Sequence, residues 1–382
     1  MSLISIPAES LILGQTLDFP LRDAEGTLLI GRGQVLRDSP QVHALILRGV
    51  WAHEDELSNT QRGTLAPEAP ATDFDFEHLR TLDLGQTGVW ADLQQRAHAL
   101  LSTPKAEDFL PRFERLHDEA VLRVRRGPDA ALLLLVYDAG QQSPNYSARH
   151  ALLCLALAEL SAQQLGWPEP WANALTRSAL CMNVAISKEQ DRLALQAEEM
   201  DARQREVLNG HGDRAARWLA RLGVRQSLWL DAVRLHHDSK PGPLKEREPA
   251  HQLARLLGRI DVFAARLSPR RSRRAQSGAA AARAIYLDER RQPDEAGAAL
   301  VKAVGLYPPG SLVRLASNEI GIVYHRGERA TSPRVAALVD ALGRPWPSPQ
   351  ARNTSLTAQA VVASLAPHES RLPVDMAALL RL

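Results

Sequence analysis

Apolar and polar positions follow two different rhythms along this chain. Near the start the apolar runs are short: Leu11-Ile12-Leu13-Gly14, Leu17-Asp18-Phe19-Pro20-Leu21 and Thr27-Leu28-Leu29-Ile30. The turn compositions Asp23-Ala24-Glu25-Gly26 and Gly31-Arg32-Gly33 separate them, so each run predicts a strand. Ser39-Pro40 opens a short helix through Leu47, and Val50-Trp51-Ala52 closes the segment as another strand. The expectation is a small α+β module over residues 1–56, followed by a polar, proline-containing linker over 57–73.

Helical spacing takes over after that. Val89 to Leu101 and Asp108 to Arg125 give a helical connecting region within 74–139. In the next block, 140–300, a helix runs from about Ser147 to Leu165 and stops at Gly166. A second runs from Pro168 to Ile186, with Leu175, Ala179, Met182 and Ile186 on one stripe. A third opens at Asp201, has Gln204 in a capping-box position and continues to Leu222. A fourth covers Ser227 to His237. The fifth covers Pro249 to Leu267 and puts Leu253, Leu256, Ile260, Phe263 and Leu267 on a core face.

Beyond the turn Tyr307-Pro308-Pro309-Gly310, Leu312 to Leu315 and Ile320 to Tyr324 predict a β-hairpin within 301–345. The tail over 346–382 is polar and proline-containing and is expected to be poorly ordered. The fold class is therefore mainly α, a helical bundle with a small N-terminal α+β module and a short C-terminal β-hairpin.

Composition adds limits rather than a function. With 382 residues, 45% hydrophobic and 24% charged, the chain is an ordinary globular sequence with room for two or three domains. A net charge of +2 means that any attraction for anions must come from local clusters. Cys154 and Cys181 sit inside apolar helical patterns, which suits buried thiols in a reducing compartment. Met1-Ser2-Leu3-Ile4-Ser5-Ile6-Pro7 lacks a basic stretch before an apolar run, and the longest purely apolar run, Ala130 to Tyr137, is too short to span a bilayer. A cytoplasmic protein without a membrane span is expected.

Histidines carry the candidate chemistry. His150 shares a stripe with Leu153, Cys154 and Leu157. His211 falls between Val207 and Trp218 on what reads as an inward stripe, and His236-His237 ends the fourth helix. Asp261 lies on the face marked by Ala254, Leu257, Gly258 and Ala265, where small residues admit a neighbouring helix. Imidazoles and a carboxylate pointing inward from successive helices are what a metal site in a bundle core needs, and the mixture suits iron, manganese or zinc. Satisfied core histidines, or a His pair that complements a helix C-terminus, fit the same pattern.

Read in order, these pieces resemble the HD-GYP family of cyclic-dinucleotide phosphodiesterases. Tyr146-Ser147-Ala148-Arg149-His150-Ala151, Gln204 through His211, Leu235-His236-His237-Asp238 and Arg259-Ile260-Asp261-Val262-Phe263-Ala264-Ala265 are similar to its successive elements. Gly305 to Val313 is similar to the hairpin that follows the domain in many members. The resemblance covers about residues 140–345 and implies an HD-type bundle with His150, His211, His236, His237 and Asp261 as metal ligands. It also implies phosphate contacts from Arg270 with Arg273 or Arg274. These lie in Arg266-Leu267-Ser268-Pro269-Arg270-Arg271-Ser272-Arg273-Arg274, a segment with five arginines in nine residues. A solvated basic loop is the plainer reading of that run, and it lacks the interleaved aromatics of a nucleic-acid surface.

This chain departs from the family at its centre. Met182 and Asn183 stand at the His-Asp position, Ile186 replaces a lysine, and Asp238-Ser239-Lys240-Pro241-Gly242-Pro243 stands where Gly-Tyr-Pro is expected. Asn183 offers only a neutral oxygen, so a two-ion hydrolytic centre is not expected. Room remains for one divalent ion, iron or manganese, or for none. The expected function is a degenerate HD-GYP-type protein of bacterial cyclic-dinucleotide signalling, with a cyclic dinucleotide or a signalling protein as partner. An active phosphohydrolase with a reduced ligand set and a protein-interaction scaffold are the alternatives.

Overall fold

The computed structural model describes residues 3–6, 16–22, 26, 28–35, 50–53, 56, 86–104, 107–142, 145–238, 240–370, 372 and 374–382. The strand expected at Leu11, the helix from Pro40 to Leu47 and the linker at 57–73 lie outside these residues. Two compact units are present, Met1–Asp92 and Leu93–Leu382.

In the first unit β1 (Leu3–Ile6), β2 (Leu21–Arg22), β3 (Leu28–Ile30) and β4 (Val50–His53) form an antiparallel sheet in the order β1-β4-β2-β3. Its core is Ile6, Leu17, Phe19, Leu21, Val50 and Ala52. The run around Leu17 is strand only at its end, because Leu17 N–H instead donates to Gln34 O at 2.8 Å.

The second unit is built on helices α1 (Gln86–Ser102, which begins in the first unit), α2 (Phe109–Arg126), α3 (Pro128–Ala139) and α4 (Tyr146–Leu165). Alanine and leucine fill α4, and every residue from Tyr146 to Ala162 is buried, the state of a central helix packed on all sides. Asp191 fixes its start by accepting Ser147 N–H at 2.7 Å and Ser147 Oγ–H at 3.0 Å. Gly166, at φ +62°, ends it in the left-handed conformation that glycine adopts most cheaply.

Around α4 lie α5 (Glu169–Cys181), α6 (Ser187–Leu195), α7 (Ala202–Leu208), α8 (His211–Arg221), α9 (Ser227–Leu235), α10 (Pro249–Leu267), α11 (Gly278–Tyr286) and α12 (Glu295–Val304). The five core-face residues expected on α10 are all buried. Two expected helices are shorter. The one opening at Pro168 ends at Cys181 and passes through Met182 and Asn183 into a 3-10 turn, Val184–Ile186. The one opening at Asp201 is two helices, because Gly210 takes φ +66°. Asn209-Gly210 is a turn dipeptide, and its backbone breaks the stripe that placed Val207 and Trp218 inward; both are exposed.

The C-terminal region is more than a hairpin. Strands β5 (Leu312–Leu315), β6 (Ile320–His325), β7 (Arg334–Val339), β8 (Pro345–Asn353) and β9 (Val361–Leu365) make an antiparallel sheet in the order β8-β7-β6-β5-β9. The expected hairpin is β5-β6, and the tail expected to be poorly ordered supplies both edges and a last turn, α13 (Met376–Leu379). Prolines 345, 347 and 349 lack N–H donors and are tolerated because β8 is an edge strand. The sheet packs on α3 through Leu133, Leu312, Ile322 and Leu365. Gly310 makes the approach possible, since a Cβ there would lie 2.8 Å from Leu133 O.

Candidate metal centre

Three close approaches gather the candidate side chains. A Cβ on Gly258 of α10 would lie 2.3 Å from His236 O, and one on Gly212 of α8 would lie 2.8 Å from Val233 O. Glycine at both positions lets the turn after α9 sit directly against α8 and α10. Opposite, His150 on α4 faces Asp261 on α10, with Nε2 2.8 Å from Oδ1.

The histidine bonds fix which nitrogens are available. Nδ1 of His211 lies 2.7 Å from Leu208 O, and Nδ1 of His236 lies 2.7 Å from Val233 O. Carbonyls only accept, so both Nδ1 atoms carry the proton and both Nε2 atoms keep a lone pair. His236 is 2% exposed, and its Nε2 has no hydrogen-bond partner. Nε2 of His237 is 3.2 Å from Nε2 of His211, and one nitrogen from each of His211, His236 and His237 lies within 4.8 Å of the others. Backbone carbonyls orienting imidazoles with lone pairs converging on one point are a ligand arrangement for a divalent cation.

Electrostatics agree with that arrangement. Burial, with a smaller contribution from His237, pushes His236 down to about 3, so its ring stays neutral. Burial also lowers His211. Burial works to raise the Asp261 carboxyl, but the His150 hydrogen bond and charge outweigh it and hold it well below the usual carboxylate range. An ionised carboxylate only accepts, so His150 donates from Nε2. Its buried Nδ1 has no hydrogen-bond partner.

His150, His211, His237 and Asp261 border a cavity of about 350 Å³ that also takes in Asn183, Ile186 and Arg270, whereas the buried His236 is not part of its lining. Met182 does not line it; the side chain is 1% exposed in the helical core. Two neighbours were not read from the sequence. Tyr146 stacks on His150 with ring centres 5.7 Å apart, and the Arg270 guanidinium lies 5.0 Å from the Tyr146 ring centre. The four-residue spacing Tyr146–His150 is the signal that could have shown the first contact.

The other arginines go elsewhere. Arg273 turns back to cap α10, donating to Ala265 O, and Arg274 lines a neighbouring cavity. His251 lies 3.9 Å from Asp238. A second cluster, Glu114, His117 and Asp118, has ligand spacing, but Glu114 is held by Arg177 at 2.7 Å, and His117 bonds Asp118 and Thr176, each at 2.8 Å.

No protein-family model matches the chain. Over 240 residues, 62% of this chain and 57% of the relative, it is 28% identical to a cyclic di-GMP phosphodiesterase of Pseudomonas aeruginosa. The chain is HD-GYP-like. It spans little more than half the length of that relative. A solved protein of Bdellovibrio bacteriovorus, described as HDG"Y"P, aligns over 79% of this chain and 99% of its own at 16% identity and a TM-score of 0.47. No helix among the described residues is long and apolar enough to cross a membrane.

Within this HD-GYP-like chain the residues present fit one ion better than two. His211 and His236 offer lone pairs fixed on Nε2, His237 lies beside them, His150 and Asp261 are bonded to one another, and Asn183 contributes no charge. A divalent cation, when bound, supplies Lewis acidity toward a phosphate oxygen.

Proposed function

We propose that this chain is a degenerate HD-GYP-type protein that binds a cyclic dinucleotide and acts by regulation, with impaired phosphodiesterase chemistry. The observation that carries the reading is the placement of Met182 in the core and Asn183 at the cavity wall. The candidate ligands are then His150, His211, His236, His237 and Asp261, with a single carboxylate among them.

Charge supports this reading. Two dications about 4 Å apart repel by about 17 kcal/mol at an effective dielectric of about 20. One Asp261 carboxylate and neutral imidazoles offset little of that. Arg270, stacked on Tyr146 at the cavity edge, is placed to hold a ligand phosphate, which supports binding without requiring turnover.

The experiment is a paired measurement of cyclic di-GMP binding and hydrolysis with manganese or ferrous iron. Saturable binding with turnover orders of magnitude below about 1 s⁻¹ is expected. Turnover of about 1–10³ s⁻¹ overturns the reading in favour of an active phosphohydrolase with a reduced ligand set.

A further inference from the structure

A cavity of about 750 Å³ lies beside the basic loop and shares Arg270 with the cavity at the histidines. Its walls come from α3, the loop after α10, the start of α11 and the C-terminal sheet. Arg270, Arg271 and Arg274 line it, and among the described residues no aspartate or glutamate does. None of these three guanidinium groups has a carboxylate partner among the described residues. A cavity of similar size, about 720 Å³ beside β6 and β7, differs in including Asp129 and Glu328.

Arginines gathered around one cavity raise its local positive potential and attract anions. Gly278, the first residue of α11, borders the cavity, and a Cβ there would lie 2.6 Å from Ser311 Oγ; the next two N–H groups, of Ala279 and Ala280, are bonded to Ser364 Oγ and Ser277 Oγ. Ser311, 6% exposed, lines the cavity with an Oγ that has no hydrogen-bond partner. The opposite wall is Tyr137, Leu312 and Leu365, a surface for a flat or apolar group.

We propose that this cavity is a second ligand site, for a nucleoside phosphate. The phosphate lies against Arg271 and Arg274, and the base lies against Tyr137 and the apolar wall. Arg270 borders both cavities and rests on Tyr146, which stacks on His150, so occupation here reaches the histidine cluster through one guanidinium. The assignment stands independently of how the histidine cavity is used.

Calorimetric titration of the full chain with guanosine 5′-monophosphate, and separately with inorganic phosphate, tests it. GMP is expected to bind more tightly than phosphate. Arg271→Ala/Arg274→Ala is expected to lose at least tenfold in GMP affinity, while Arg329→Ala, an exposed arginine at the cavity beside β6 and β7, keeps it. Arg271 and Arg274 are both exposed, so their removal leaves the core intact; an unchanged melting curve verifies this. Absent GMP binding, undiminished binding in the double variant, or an equal loss in Arg329→Ala overturns the site. Phosphate binding as tight as GMP overturns the nucleoside assignment.

Discussion

Gly258→Ala probes how the histidine cluster is assembled. In an open helix this change stabilises by about 1 kcal/mol, because alanine is the better helix former. Here the new Cβ would sit 2.3 Å from His236 O, whereas real Cβ contacts essentially never fall below 3.0 Å. The turn carrying His236 and His237 must therefore withdraw by at least about 0.7 Å from α10. Overpacking a close backbone contact typically costs about 1–3 kcal/mol, so the net effect is a destabilisation of up to about 2 kcal/mol. Moving His236 and His237 away from Asp261 also opens the ligand set. Urea unfolding of parent and variant gives the stability, and cobalt titration followed by visible absorbance gives the affinity of the cluster. A less stable variant with weakened cobalt binding is expected. Increased stability with unchanged cobalt binding would refute the reasoning, because it would mean that α10 and the turn do not meet as described.

Other perturbations separate packing from chemistry. Met182→Ala should destabilise by about 2–5 kcal/mol through a core cavity while leaving metal content unchanged; loss of metal with little loss of stability would make Met182 a ligand. Asp294 is buried with Arg255 and Arg259, accepting Arg255 Nε–H at 2.9 Å and capping α12 through Gly297 N–H at 2.9 Å. Asp294→Asn should cost about 3 kcal/mol in denaturant unfolding, since it leaves buried guanidinium groups short of charge. Burial works to raise the Asp294 carboxyl, but Gly297 N–H, Arg259 and Arg255 outweigh it and hold it low. Its folded value lies below its unfolded one, so its contribution is full above about pH 4 and is lost as pH falls through the folded value. The stability gap between parent and variant should therefore shrink in acid; a gap that widened would contradict the pairing.

Much of this arrangement was legible because side-chain periodicity and backbone chemistry agreed. On α10 the same 3.6-residue pattern that buries Leu253, Leu256 and Ile260 sets Asp261 and Gly258 on a neighbouring face, so both the carboxylate and the close approach could be anticipated. His150 was readable for the same reason. Periodicity failed where the backbone left the helix. Gly210 in the left-handed region turned an apparent stripe through Val207, His211 and Trp218 into two helices with both outer members exposed. Edge strands were missed because β8 carries three prolines, which look like loop until a neighbour shows that its N–H groups need no partners. The turn of Arg273 back to Ala265 O was not legible, because composition gives the charge of a loop but not the direction of each guanidinium.

The central claim is that this ligand set cannot hold a bridged pair of divalent ions. Elemental mass spectrometry of protein purified without oxygen or chelators tests it directly. No more than one iron or manganese per chain is the predicted result. Two ions per chain would contradict the account and restore the hydrolytic centre.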